Sequence, residues 1–141
     1  MSNQKLIIRL EPRIEAVSDL LDRLEAYATA ADLGPRTAHR LAVVCEELVA
    51  NVAMHGASGK GGATYVKITI DREATGLHLE VEDDGRPFDP LAEAVPDTAL
   101  GLEDREIGGL GIHFVRNMVK DIGYGRLDGL NRLTAVLNTV E

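Results

Sequence analysis

The sequence predicts an α+β domain, a two-layer α/β sandwich with helices on one face of a mainly antiparallel sheet. Three observations carry this. Two stretches at helical spacing follow one another near the N-terminus, Ile14 to Ala30 and Pro35 to Gly56. Runs that alternate with period two come in pairs joined by short turns, Ala63 to Asp71 with Leu77 to Val81, and Gly123 to Asp128 with Leu130 to Thr139. The order is strand, two helices, hairpin, irregular stretch, helix, hairpin, which groups helices beside an antiparallel sheet. At 141 residues the chain suits one domain, 1–141.

Each element has its own signal. Lys5 to Leu10 is a short apolar run, read as a strand, and Pro12 closes it. Ile14, Val17, Leu20, Leu21 and Leu24 recur at helical spacing, and Gly34 is the expected C-terminal glycine of that helix. Pro35 suits the first turn of the next helix. There Leu41, Val44, Leu48 and Val52 form an apolar stripe. Glu47, Asn51 and His55, each four residues apart, form a polar stripe at its edge, where a pocket floor would lie. Glu46 points elsewhere, roughly 140° around from Asn51. Val66, Ile68 and Ile70 alternate with Tyr65, Lys67 and Thr69, and Leu77, Leu79 and Val81 with His78 and Glu80. Asp128-Gly129 turns the last hairpin. Gly108 to Lys120 reads as a helix with Ile112, Val115 and Val119 inside. Before it, residues 86–108 carry three prolines (Pro87, Pro90, Pro96) and many acids. That is too long for a structureless loop in a compact domain and is read as a functional lid.

Bulk composition narrows the function classes. A net charge of −8 argues against a broad nucleic-acid surface, which needs Lys and Arg in excess, while leaving room for a single nucleotide. The one cysteine, Cys45, makes no internal disulfide and reads as a small buried hydrophobe. No run resembles a signal peptide or a membrane span, so a cytoplasmic protein is the expectation. Arg13, Arg23, Arg36 and Arg40 suit either an acidic partner surface or plain solvated helix faces.

Chemistry concentrates in three places. The first is the Glu47–Asn51–His55 stripe, which read alone is also a solubilising face. The second is Asp83-Asp84-Gly85-Arg86-Pro87-Phe88 at a strand end. It reads as a plain turn, or as a site where Asp84 accepts a hydrogen bond from an exocyclic amine and Gly85 lets a flat ring approach the backbone. The third is Gly108-Gly109-Leu110-Gly111 opening a helix, where backbone N–H groups and the helix N-terminus favour phosphate.

In order, E-x-x-x-N-x-x-x-H-G, D-x-G-x-P-F and G-G-L-G resemble the three ATP-binding boxes of the GHKL superfamily (gyrase, histidine kinases, MutL-type proteins). EELVANVAMHG, DDGRPFDP and GGLGIHFVRNMVKDIGY are similar to the motifs of its anti-sigma factor serine kinase branch. The resemblance implies a Bergerat-type ATP-binding fold with an ATP lid, and a kinase using ATP and Mg²⁺. It implies Glu47 as general base, Asn51 as the Mg²⁺ ligand, Asp84 as reader of the adenine amine and Gly85 as the space beside the ring. Pro87 and Gly108 belong to the nucleotide boxes, as does Leu110. Gly109 and Gly111 would hold phosphates, and Arg105 in the lid would reach the terminal one. His55 and Gly56 complete the first box, with helix-end packing an equal reading for His55; His113 reads as structural. The implied partners are a STAS-type anti-sigma-factor antagonist carrying the substrate serine, a sigma factor and a second copy in a homodimer, with no direct nucleic acid and no membrane. Two other readings stand beside this one. A nucleotide-gated binding module would transfer no phosphate, and would not need Glu47. The catalytic piece of a histidine kinase would need a phospho-accepting helical segment that this length leaves no room for.

Overall fold

The computed structural model describes residues 5–56, 61–92 and 109–140. Strand β1 (Lys5–Leu10) leads through a 3₁₀ turn at Ile14–Ala16 into α1 (Val17–Ala30) and α2 (Pro35–Asn51). Then come β2 (Val66–Glu73), β3 (Gly76–Asp83), a single turn at Pro90–Ala92, α3 (Gly109–Met118), β4 (Asp121–Leu127) and β5 (Leu130–Leu137). Among the described residues the strands form one five-stranded sheet in the order β1-β2-β3-β5-β4. Every neighbouring pair is antiparallel. This is the expected α+β architecture.

Strand parity builds the core. Val66, Ile68, Ile70, Leu77, Leu79 and Val81 are at most 3% exposed. They join Leu20 and Leu24 of α1, Leu41, Val44 and Leu48 of α2, and Ile112 and Val115 of α3 in one cluster. Each such side chain contributes about 1.5–3 kcal/mol when fully buried. A one-residue slip would turn a whole row to solvent, so the rows fix the register. Cys45 is buried among them, and burial pushes its thiol up to about 12. Among the described residues no helix is long and apolar enough to cross a membrane.

Two turns depend on glycine. Gly76 has φ 140°, and a Cβ there would run into the Leu137 carbonyl oxygen. Asp128 and Gly129, at φ 56° and 78°, make the primed turn expected between β4 and β5.

Two expectations about helix ends are corrected. Gly34 does not close α1. Asp32 takes the left-handed position (φ 55°), with the Leu33 N–H donating to Ala28 O at 2.9 Å and the Asp32 N–H to Thr29 O at 3.2 Å. This is a Schellman closure built on an aspartate, a residue that tolerates that region. Gly34 is instead the extended N-cap of α2, with Pro35 in its first turn as expected. Nor does α2 continue regularly to Gly56. Val52–Gly56 forms a wider π-helical turn, a rare geometry frequent at functional sites.

The sheet's other face is polar. Glu82 accepts hydrogen bonds from Tyr65 Oη (2.7 Å) and Arg132 Nη2 (3.1 Å), and Lys67 Nζ lies 3.8 Å away. Arg9 stacks its guanidinium 3.9 Å over the Tyr65 ring. Arg132 Nε is 3.4 Å from Glu80, close enough for an ion pair but out of line for a hydrogen bond.

Candidate nucleotide site

Where α2 ends beside the last residues of β3, the fold forms a partly open cavity of about 30 Å³. Leu48, Asn51 and Val52 line it from the helix layer, Val81 and Asp83 from β3, and Phe88 and Pro90 from the segment after β3. Tyr124, Asn131 and Leu133 of the closing hairpin complete it. An apolar lining with a few converging polar groups is the usual make-up of a small-ligand site.

Asn51 is the least satisfied of these groups. It is 5% exposed, and its Nδ2 has no hydrogen-bond partner. Leaving such a group unmet in the interior costs about 1–3 kcal/mol. A half-turn about χ2 exchanges its two ends, so the position can present a donor or an acceptor. Glu47 sits one turn earlier on the same helical face, half-buried, and does not line the cavity itself. Burial pushes its carboxyl above the usual range, and the neighbouring Glu46 adds to this.

His55 lies in the wider π turn that follows α2. Its ring stacks on Phe88 at 5.0 Å and 14°, and its carbonyl accepts from Arg86 Nη1 at 3.1 Å. These contacts tie the end of the helix to the segment after β3, so the packing reading of His55 fits its position.

The adjacent aspartates divide differently from the expectation. Asp84 turns away from the cavity. Its carboxylate accepts from Thr64 N at 2.7 Å, from the Thr64 hydroxyl and from Tyr65 N at 3.3 Å, pinning the chain entering β2. Burial would raise its pKa, but these hydrogen bonds outweigh that and hold it below the usual range. The cavity-lining carboxylate is Asp83, 6% exposed. Strand parity explains the placement: Asp83 shares the inward face with Leu77, Leu79 and Val81, and the next residue faces away. Gly85 is buried and donates its N–H to Asp83 Oδ1 at 2.9 Å, while Pro87 is exposed.

The closing hairpin contributes residues that the motifs did not flag. Asn131 lies opposite Asp83 in the β3–β5 register. Its Nδ2 donates to Asp83 Oδ1 at 3.0 Å and to Arg86 O at 2.8 Å. Its Oδ1 accepts from Tyr124 Oη and, at 3.1 Å, from Arg126 Nη1, which also donates to Gly85 O at 2.7 Å. The Asp83–Gly85–Arg86 segment is thus held from below by one amide and one guanidinium. The signal was present: Asn131 shares parity with Leu133, Ala135 and Leu137, so a polar side chain was predictable on a buried row.

At the other end, Gly109, Leu110 and Gly111 form the first turn of α3. Arg105, Gly108 and most of the lid lie outside the described residues. His113 is half-buried within α3, in keeping with a structural role. No group of three or more metal-ligating side chains occurs among the described residues. A Mg²⁺ carried in with phosphates needs only one or two side-chain oxygens, and the buried Asn51 amide fits that demand.

A family model described as "Histidine kinase-like ATPase domain" matches residues 10–137. The serine/threonine-protein kinase BtrW of Bordetella bronchiseptica is 27% identical over 134 residues, covering 95% of this chain and 94% of that protein. Among solved structures, the RsbU and RsbW domains of a Mycobacterium tuberculosis protein align with a TM-score of 0.65 at 15% identity. That alignment covers 95% of this chain and 32% of the other, so this chain spans about a third of that structure's length. The Acinetobacter baumannii histidine kinase AdeS aligns at TM-score 0.51 and 15% identity, over 96% of this chain and 68% of that one. At these identities the solved structures bear on the fold alone.

Proposed function

From a chain that belongs to the histidine kinase-like ATPase domain family, we propose an ATP-dependent protein-serine kinase acting as an anti-sigma factor in a bacterial partner-switching system. It phosphorylates a serine of a STAS-type anti-sigma-factor antagonist in the cytoplasm, and it pairs as a homodimer and with a sigma factor. The similarity to a serine/threonine-protein kinase over almost the whole of both chains supports this reading. The observation that carries it is the convergence of a buried, partly unsatisfied Asn51 and the inward Asp83 on one cavity.

In this proposal Asp83 takes the role expected of Asp84 and accepts a hydrogen bond from the adenine amine. Asn131 and Arg126 keep Asp83 and the Gly85 backbone in place. Phe88, half-buried on an irregular segment, borders the place that the base would take. Asn51 would hold Mg²⁺ by its side-chain oxygen, and the N–H groups of the Gly109–Gly111 turn would meet the phosphates, as helix N-termini favour. When bound, Mg²⁺–ATP supplies the γ-phosphoryl group, with ADP as leaving group and the metal neutralising charge. Glu47 takes the proton given up by the attacking serine hydroxyl as the oxygen–phosphorus bond forms. Its raised pKa makes it a better base near neutral pH than an exposed glutamate. Arg105 steadies the terminal phosphate.

The test is a transfer assay from labelled ATP to a serine-bearing antagonist. The wild type labels the antagonist, and Ser→Ala in the antagonist abolishes labelling. Absent transfer with ATP-dependent antagonist binding retained would replace this reading with a nucleotide-gated binding module.

A further inference from the structure

Most of the polar contact between the closing hairpin and the cavity passes through Asn131. This side chain is 4% exposed and lines the cavity beside Asp83. Its two ends meet different partners. Oδ1 accepts from Tyr124 Oη, from Arg126 Nη1 at 3.1 Å and from the Phe88 N–H at 3.4 Å. Nδ2 donates to Asp83 Oδ1 at 3.0 Å and to Arg86 O at 2.8 Å. A guanidinium and a backbone N–H only donate, and a backbone carbonyl only accepts. An exchanged amide would set donor against donor at one end and acceptor against acceptor at the other. The partners of Asn131 therefore fix which way its amide faces.

That direction passes on to position 83. Asp83 Oδ1 receives two N–H groups, one from Asn131 and one from Gly85 at 2.9 Å. Among the described residues, Oδ2 receives none. The atom in the Oδ2 place is the one left for a ligand, and in an aspartate it is an acceptor. An asparagine at 83 would have to turn its oxygen toward the same two donors. Its nitrogen would then take the other place, and a ligand would meet a donor instead.

Given the nucleotide reading, on which this rests, we propose that Asn131 is a specificity-determining residue. By orienting the side chain at position 83, it makes the cavity take a purine with a 6-amino group in preference to one with a 6-oxo group. Asn131 acts here through Asp83, as a positioning residue. Tyr124 and Arg126 serve by holding Asn131, and Arg126 Nη1 also holds the Gly85 carbonyl at 2.7 Å. Glu82, buried to a similar degree and as well bonded, lies on the opposite face and lines no part of this cavity.

The probes are Mg²⁺–ATP and Mg²⁺–ITP, whose bases differ at C6 and in the proton on N1. Each is titrated calorimetrically into nucleotide-free full-length protein. The wild type prefers ATP by at least about tenfold, the lower end for a hydrogen bond to a charged group. Asp83→Asn reverses the order and binds ITP more tightly. Adding Asn131→Ser, whose hydroxyl donates or accepts, shrinks that reversed preference by about three- to tenfold. If the Asn131→Ser protein does not fold, Arg126→Met removes one donor from Asn131 Oδ1 and shifts the ratio the same way by about two- to threefold. Glu82→Gln loses stability on the opposite face and keeps the wild-type ratio, which separates positioning from a general loosening of the fold. An Asp83→Asn protein that still prefers ATP overturns the proposal and leaves the nucleotide reading standing. So does a reversed preference that Asn131→Ser and Arg126→Met leave unchanged. A wild type that binds neither nucleotide overturns both.

Discussion

Glu82 and Asp83 are consecutive residues of β3, 7% and 6% exposed, on opposite faces of the same sheet. Glu82 faces the open side and is fully compensated: burial would raise its pKa, but Tyr65, Arg132 and Lys67 outweigh that and lower it. The same contact, with burial, pushes the Tyr65 hydroxyl up to about 12. Asp83 faces the helix layer, has Asn131 and the Gly85 N–H on one oxygen, and borders a cavity also lined by Asn51, whose Nδ2 has no partner. Burial of a carboxylate is therefore no mark of a site by itself. What separates the two is whether the surroundings complete the group or leave a neighbouring position open to a ligand.

Variants on the two faces sharpen this contrast. The largest effect belongs to Glu47→Ala, which lowers phosphoryl transfer by about 10²–10⁴-fold, the usual share of a general base, while ATP affinity stays close to wild type in a titration. Its carboxyl is held above the ordinary glutamate value by burial and by Glu46, so the ionised form is the costly one. Transfer falls as pH drops through that raised value, whereas this group's contribution to stability improves over the same range; a pH–rate profile beside pH-dependent melting checks both signs. Next comes Asp83→Asn, which removes an acceptor from the cavity and weakens ATP by roughly 10–100-fold, an equivalent of about 1.5–3 kcal/mol for a hydrogen bond to a charged group. Glu82→Gln leaves ATP affinity alone and costs about 1–3 kcal/mol of stability in urea unfolding at pH 7. Because its folded pKa is depressed, that stability is present above the unfolded glutamate value of about 4.3 and is lost as pH falls through the folded value. The gap between wild type and variant closes in acid. Asp84→Asn is the mildest, about 1 kcal/mol from weakened bonds to Thr64 and Tyr65, with unchanged ATP binding. An Asp84→Asn protein that cannot bind ATP would erase the distinction between the adjacent aspartates.

Much of the fold was legible because two periodicities carry it. The row Val66, Ile68, Ile70 and its partner Leu77, Leu79, Val81 announce a buried sheet face, and both are buried. Helix ends were harder. Gly34 looked like the stop of α1 because glycine adopts left-handed backbone cheaply, yet Asp32 adopts it and leaves the glycine to start α2. The regular helix expected up to Gly56 widens after Asn51, a change that a 3.6-residue period does not foretell. In the site, spacing placed Asn51 at the edge of the buried face, while its expected role came from the resemblance of the three boxes taken together. The role given to Asp84 misaligned the pattern: in D-x-G-x-P-F the aspartate stands two residues before Gly85, at Asp83, and strand parity assigns the same residue as the inward one. Asn131, Tyr124 and Arg126 could not come from local motifs, since they reach Asp83 and Gly85 only through the long-range pairing of β5 with β3.

The most direct measurement is calorimetric titration of Mg²⁺–ATP into nucleotide-free protein, with Asp83→Asn, Asp84→Asn and Asn51→Ala in parallel. Wild type and Asp84→Asn bind with matching heats and affinity, while Asp83→Asn and Asn51→Ala bind weakly or not at all. Undiminished binding by Asp83→Asn, or no binding by the wild type, would contradict the assignment of this cavity as the nucleotide site.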